Sequence, residues 1–205
     1  MKKGYILGIL FFGSLWGFSE AMLGGLFYRI GTPLPSVYLT IIGVSILIVA
    51  RVYLPGKGVL SAIAAFAMLY KFLNSPIFAC HFLGILLLGI CCDLFFNFIK
   101  FKNKSLSAML AVYINYALFA VMMVYVFRYS YWIEAGSSKV LNHIFVGGTL
   151  AAIGCALAVP FSHKFGLWLQ KNKPHADLAE SFARVRLASV TTGMWLFALA
   201  VFMVQ

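Results

Sequence analysis

Tyr5-Ile-Leu-Gly-Ile-Leu-Phe-Phe-Gly-Ser-Leu-Trp-Gly-Phe-Ser-Glu-Ala-Met-Leu-Gly-Gly-Leu26 is a stretch of 22 residues that carries a single charged side chain, Glu20. A helix that crosses a bilayer needs about 20 predominantly apolar residues, so this stretch is long enough to cross one. It follows Met1-Lys2-Lys3, as a secretion signal would. It is nevertheless longer than the roughly 7–15-residue core of such a signal, and no clear small-x-small cleavage site comes after it. A retained transmembrane helix is the expectation.

Six further apolar runs follow, at Val37–Val52, Gly58–Leu73, Ile77–Ile99, Leu106–Phe127, Val140–Phe161 and Leu187–Val204. The whole chain of 205 residues is 63% hydrophobic and 10% charged, with a mean hydropathy of +0.97. Soluble domains carry about 25% charged residues. The fold class expected is therefore all-α, a polytopic transmembrane helical bundle of seven spans forming one integral domain over residues 1–205. Gly58–Leu73 is the shortest candidate together with Val37–Val52, and six spans result if it is re-entrant. No stretch is left for an autonomous soluble domain, which needs about 50 residues. The longest polar segment is about Gln170–Arg186, which excludes an appended nucleotide-binding or nucleic-acid-binding domain.

The formal charge is +11, from 16 Lys and Arg against 5 Asp and Glu. With the N-terminus inside and seven spans, Lys2, Lys3, Arg51, Lys57, Lys100, Lys102, Lys104, Lys164, Lys171, Lys173, Arg184 and Arg186 fall on the cytoplasmic side. Arg29, Lys71, Arg128 and Lys139 fall outside. Cytoplasmic loops are the ones enriched in Lys and Arg, so the twelve-to-four division favours this orientation in a bacterial-type inner membrane. The excess charge is then assigned to anionic lipid and not to nucleic acid. Within the segment 171–186, Leu178, Phe182 and Val185 recur at helical spacing after Pro174. Acidic Asp177 and Glu180 come early and Arg184 and Arg186 late, as a helix dipole favours. A short amphipathic helix on the inner face is expected there, either held by lipid or docking a partner.

Cys80, Cys91, Cys92 and Cys155 all sit in apolar runs without Cys-x-x-Cys spacing, and read as small packing residues. The chemistry-bearing candidates are instead the polar residues inside spans, because burying them in lipid costs several kcal/mol and calls for a compensating role. Glu20 lies about 22 Å up the first helix from Tyr5 at about 1.5 Å per residue, in the outer half. It either serves function or is a structural carboxyl, neutral or paired with Lys71. His81, near the outer end of the fourth span, and His143, at the outer start of the sixth, match Glu20 in approximate depth. The three are of the right type for a proton-coupled or metal-binding cavity. Asn115, with Tyr113 and Tyr116, adds a polar stretch on the fifth span, and Trp16, Phe18 and Tyr70 are candidate aromatic walls. Asp93 and Asn97 share a helix face with Gly89 toward the inner end. They are read either as a seat for Arg51 or as part of a transport gate. Tyr129-Ser-Tyr-Trp-Ile133 reads as an interfacial aromatic belt.

Gly13, Gly17, Ala21 and Gly25 repeat at four-residue intervals on the first helix, a small-residue groove into which another helix can pack, from this chain or from a partner. This stripe, the size of the chain and its basic inner loops resemble the substrate-binding S components of energy-coupling-factor transporters. The resemblance implies a vitamin-like molecule or metal ion bound in an outward-facing pocket, and a transmembrane coupling subunit with ATPases packed on the stripe. The seven-span count departs from the common six-helix plan, and the metal-binding amino-terminal Met-His signature is lacking.

Motifs of metalloproteases, α/β-hydrolases, prenyl-transfer enzymes and phosphate-binding loops are absent from the sequence. The leading expectation is a small-solute transport component without a cofactor. The competing expectations are an intramembrane enzyme acting on a lipid or peptide and a non-catalytic membrane assembly subunit. The charge division makes a first prediction: a topology reporter fused after Gln205 lies outside the cell, and one inserted within 171–186 lies in the cytoplasm. Cytoplasmic signals from both would overturn the seven-pass orientation.

Overall fold

A computed structural model describes the backbone of residues 3–74, 79–99, 101–171 and 177–204. Within these, the side chains of 3, 4, 28, 73, 74, 79–81, 177–184, 203 and 204 are not described. Every regular element among the described residues is helical. In lipid a chain must satisfy its backbone polar groups internally, and a helix does so within one segment. The elements are α1 (Lys3–Arg29), α2 (Pro35–Tyr53), α3 (Val59–Met68), α4 (Lys71–Asn74), α5 (Ala79–Asp93), α6 (Lys104–Val121), α7 (Ser130–Glu134), α8 (Gly136–Leu141), α9 (Thr149–Lys171) and α10 (Asp177–Val204). Wider π-helical turns extend α5 over Leu94–Ile99 and α6 over Met122–Val126, and join α8 to α9 over Asn142–Gly148.

Six of these helical stretches are long and apolar enough to cross a membrane: Tyr5–Phe27, Pro35–Tyr53, Phe82–Ile99, Lys104–Val126, Gly136–Lys171 and Val185–Phe202. Large apolar side chains such as Leu157, Phe161, Trp168 and Leu196 point outward, while Ser14, Glu20, Asp93, Asn97 and Asn115 are buried. An apolar exterior of this extent is incompatible with water as the surrounding solvent. The protein is a multi-pass membrane protein.

The run Gly58–Leu73, expected as a single spanning helix, is instead divided. α3 ends at Met68, and i to i−3 bonds from Leu69, Tyr70 and Phe72 tighten the chain before and into α4. Ten residues of α3 rise only about 15 Å, too little to span alone. The chain does not turn back, however. Tyr5 Oη donates to the Pro55 carbonyl at 2.7 Å, Gly13 faces Ile63 and Phe66, Gly17 faces Ala67 and Tyr70, and Lys71 reaches Glu20. α3 and α4 therefore run parallel to α1, from the depth of Tyr5 to that of Glu20. In place of the expected seven full-length helices there are six, with the short α3 and α4 lying alongside α1.

The partner of the small-residue stripe follows from the same contacts. A Cβ built on Gly17 would stand 2.5 Å from Tyr70 Cδ2 and 2.6 Å from the Ala67 carbonyl oxygen, and one on Gly13 2.9 Å from Phe66 Cβ. α3 of the same chain fills the face that carries Gly13 and Gly17. Of the two occupants considered for the stripe, a helix of this chain or one of a partner, the Gly13 and Gly17 face takes the first, and Ala21, one turn further, is buried beside the cavity described below.

At the end of the bundle that holds Tyr5, Asp93 accepts bonds from the Ser61 amide (2.6 Å), the Ser61 hydroxyl (2.7 Å) and the Gly58 amide (3.2 Å). These amides belong to the first turn of α3, whose donors lack intrahelical partners and whose positive dipole end favours a carboxylate. Gly58 adopts φ +80°, a backbone conformation that glycine accepts without strain. Asn97 Nδ2 donates to Asp93 (2.7 Å) and to the Gly56 carbonyl (3.0 Å), while its oxygen accepts from Arg51 Nε at 2.8 Å. Arg51 is thus seated as expected near Asp93, but through Asn97 and the Phe96 carbonyl (2.9 Å). One helical turn away, Gly89 lets α5 close onto Leu60 and Ala64 of α3.

Cys91, Cys92 and Cys155 are free and buried; Cys80 lies outside the described side chains. In the segment 171–186, Pro174 lies outside the described residues, and from Asp177 the chain forms one helix continuous with the last span. The side chains of Leu178 and Phe182, on which an amphipathic reading rests, are also outside the description.

Two stability predictions follow from these contacts. Gly17→Leu forces a branched side chain against a backbone carbonyl and should cost about 3 kcal/mol or more, the upper end for overpacking, read as loss of a monodisperse folded species in detergent. A folded, stable variant would remove close α1–α3 packing. Asp93→Ala should cost about 2–4 kcal/mol, from the lost cap and the orphaned buried donors, measured by thermal unfolding; an unchanged midpoint would show that the cluster does not hold α3.

Candidate functional site

The opposite half of the bundle, at the level of Glu20, holds a second polar group of a different character. Gly43 of α2 lets the Trp16 indole lie against the backbone, since a Cβ there would stand 2.6 Å from Trp16 Nε1. Fully buried, that indole N–H points at Glu20 Oε1, 3.4 Å away. On the other side Lys71 Nζ lies 3.5 Å from Glu20 Oε2 and donates to the Glu20 backbone oxygen at 3.3 Å. A Cβ on Gly24 would stand 3.7 Å from the same ammonium, in ordinary contact with it. The pairing with Lys71 is the structural alternative weighed for Glu20. Its setting is the wall of a cavity.

That cavity measures about 680 Å³ and is bounded by α1, α2, α4, α5, α6, the π-helical turn 142–148 and Val201 of α10. Glu20, Asn115 and His143, three of the residues singled out from sequence, line it together. Thr40 and Tyr116 add hydroxyls 3.4 Å from each other. The His143 ring stacks on Tyr116 at 4.6 Å between centroids and packs edge to face on Trp132 at 5.0 Å, with Phe119 at 5.4 Å. Gly147 and Gly148 make room for this arrangement, because a Cβ on Gly147 would stand 3.2 Å from Tyr116 Cε1 and one on Gly148 3.2 Å from Tyr116 Cβ. Trp132 is therefore buried, not part of an interfacial belt, whereas its neighbours Tyr131 and Ile133 are exposed.

The remaining candidates are placed as follows. His81 lies on α5, with its side chain outside the described ones. Asp93 and Asn97 are at the opposite end of the bundle, in the cluster around the start of α3, and do not line the cavity. Of the proposed aromatic walls, Trp16 lines the cavity. Tyr70 is buried against Gly17 and Trp195, and Phe18 packs on Phe197 at 5.9 Å. Among the described residues no three His, Cys, Asp or Glu side chains are grouped to hold a metal ion.

Sequence reasoning missed Arg29, Thr40, Gly24 and Gly25 as cavity residues. The Gly24-Gly25 doublet was the available signal: two adjacent glycines inside a helix cost stability relative to alanine, and here they border open space. A Cβ on Gly25 would meet nothing within 4 Å. The charged lining is unequal. One carboxylate, Glu20, is matched by the ammonium of Lys71, and the exposed Arg29 guanidinium at the end of α1 is the surplus charge.

Chemically, the arrangement offers a desolvated recess with aromatic walls and few, fixed polar groups, the usual constitution of a small-molecule site. Comparison with protein-family models, with curated proteins and with solved structures finds no match to this chain.

Proposed function

We propose that this protein binds a small solute in the outer cavity and serves in moving it across a bacterial-type inner membrane, with the cavity facing outward. The observation that carries this reading is the convergence of Glu20, Lys71, Asn115 and His143 from four separate parts of the chain on one recess of about 680 Å³. Polar side chains buried in a membrane bundle mark solute and ion pathways. Those at the inner end of this bundle are consumed by one another, whereas the outer ones border open volume. The volume falls within the range of about 300–1,000 Å³ typical of sites for small molecules.

A coupling subunit with ATPases, the partner implied by the family resemblance, has no docking surface left on the Gly13 and Gly17 face. The proposal is therefore for the solute-binding step, with any energising partner seated elsewhere on the bundle.

Gly25 supplies the test. Gly25 lines the cavity and a Cβ there meets nothing within 4 Å, so Gly25→Phe should fold, and a ring turned into the lumen takes up part of the cavity. Mass spectrometry of the protein purified in mild detergent should find a small water-soluble molecule on the wild type, reduced roughly tenfold or more in the variant, the equivalent of about 1.4 kcal/mol. Equal retention by both proteins would overturn the cavity as the binding site.

A further inference from the structure

The cavity is not electrically or chemically neutral, and its imbalance specifies what it takes. Three observations bear on this. The carboxylate of Glu20 is already matched by Lys71, through a 3.5 Å ion pair and a second bond from the same ammonium to the Glu20 backbone oxygen. An ammonium has three donors, so Lys71 retains one beyond these two acceptors. Arg29 contributes a second cation to the lining with no second carboxylate to balance it. Finally, Asn115 is 95% buried, lines the cavity, and its carbonyl oxygen has no hydrogen-bond partner.

A buried acceptor left unsatisfied costs about 1–3 kcal/mol, which a ligand N–H or O–H removes. The terminal torsion of an asparagine amide is soft, so a small turn presents the oxygen to the lumen. Between the cations and Asn115 the walls are apolar or aromatic, with Leu39, Ile85, Leu88 and Phe119 among them. Resting on the reading of the cavity as a solute site, we propose that its ligand is a small organic anion. Its acidic group lies between Lys71 and Arg29, its apolar body lies along the hydrophobic walls, and an N–H or O–H donor meets Asn115. A cationic solute would confront two positive side chains and one carboxylate already paired.

A matched series of probes tests this: indole-3-acetate, indole-3-acetamide and tryptamine share a ring, an N–H donor and approximate size, and differ in charge at one end. Binding to the full chain in neutral detergent is followed by thermal shift across a concentration series. The acid should bind at least tenfold more tightly than the amide, with the amine weakest. Arg29→Gln, at an exposed position where folding is not at stake, should reduce that preference to about threefold or less. The N-methyl derivative of the acid, which lacks the ring donor, should bind more weakly to the wild type. This penalty should shrink in Asn115→Leu; because Asn115 is buried, the wild-type comparison of the two acids stands even if that variant does not fold.

Equal binding of acid and amide, preference for the amine, or no response to any probe would overturn the anion assignment. So would co-purification of a stoichiometric anionic phospholipid in place of a water-soluble acid. Gly25→Phe separates the two levels of the argument. If it strips a bound neutral or cationic molecule from the protein, the solute cavity stands and only its proposed ligand class fails. If it changes nothing that the protein retains, the solute reading itself fails.

Discussion

The close approach of α1 to α3 at Gly13 and Gly17 fixes the relative depth of everything else. With Gly17 against the Ala67 carbonyl and Tyr70, the two segments are locked in parallel register. One turn beyond that contact, Glu20 on α1 and Lys71 at the start of α4 arrive at the same level. Without a hydrophobic driving force between helices in lipid, association relies on van der Waals contact and on a few interhelical hydrogen bonds. Glycine is what permits that contact to form over a long enough line. The ion pair at the cavity wall is thus a consequence of where backbone meets backbone about 4.5 Å away along α1, at about 1.5 Å per residue from Gly17 to Glu20.

The two ends of the bundle use polar groups in opposite ways. At the Tyr5 end, both Asp93 oxygens are occupied, both Asn97 functions are used, and Arg51 donates to the Asn97 side chain and a backbone carbonyl. A network so largely satisfied within itself specifies geometry. The outer group is left incomplete: the Asn115 oxygen is unpaired and the charges do not cancel. The same residue types, at similar burial, therefore hold a structure at one end and define a vacancy at the other. The difference lies in how many of their bonds are already made.

Much of this was legible from residue order. Apolar run lengths gave the helical membrane bundle, and helical rise put Glu20 near Lys71 in the outer half. What periodicity could not supply was the identity of the neighbour. The spacing of Gly13 and Gly17 defines a face, but only the fold says that α3 covers it. Asp93 and Asn97 were correctly grouped on one side of a helix with Arg51 at the same depth. The principal acceptor role of Asp93, toward the amides of Gly58 and Ser61, was invisible because it depends on a helix start that the continuous run Gly58–Leu73 conceals. Trp132 was misread for a related reason: an aromatic cluster next to a helix end suits the interface equally well whether its tryptophan faces lipid or, as here, folds back onto His143.

The last helix has only one fully buried side chain among its described residues, Ala198, and its indole at Trp195 donates to the Ser14 hydroxyl of α1 at 3.2 Å while packing at a tilt on the Tyr70 ring, 4.0 Å between centroids. Ser14 and Trp195 are 181 positions apart. At synthesis rates of about 5–20 residues per second, the first helix waits on the order of ten to forty seconds in the nascent chain before its outer neighbour exists. During that interval the Ser14 hydroxyl has no Trp195 indole to accept from, and Tyr70 lacks its aromatic cover. Until the last helix is made, the part of the cavity wall that carries Val201 is missing as well.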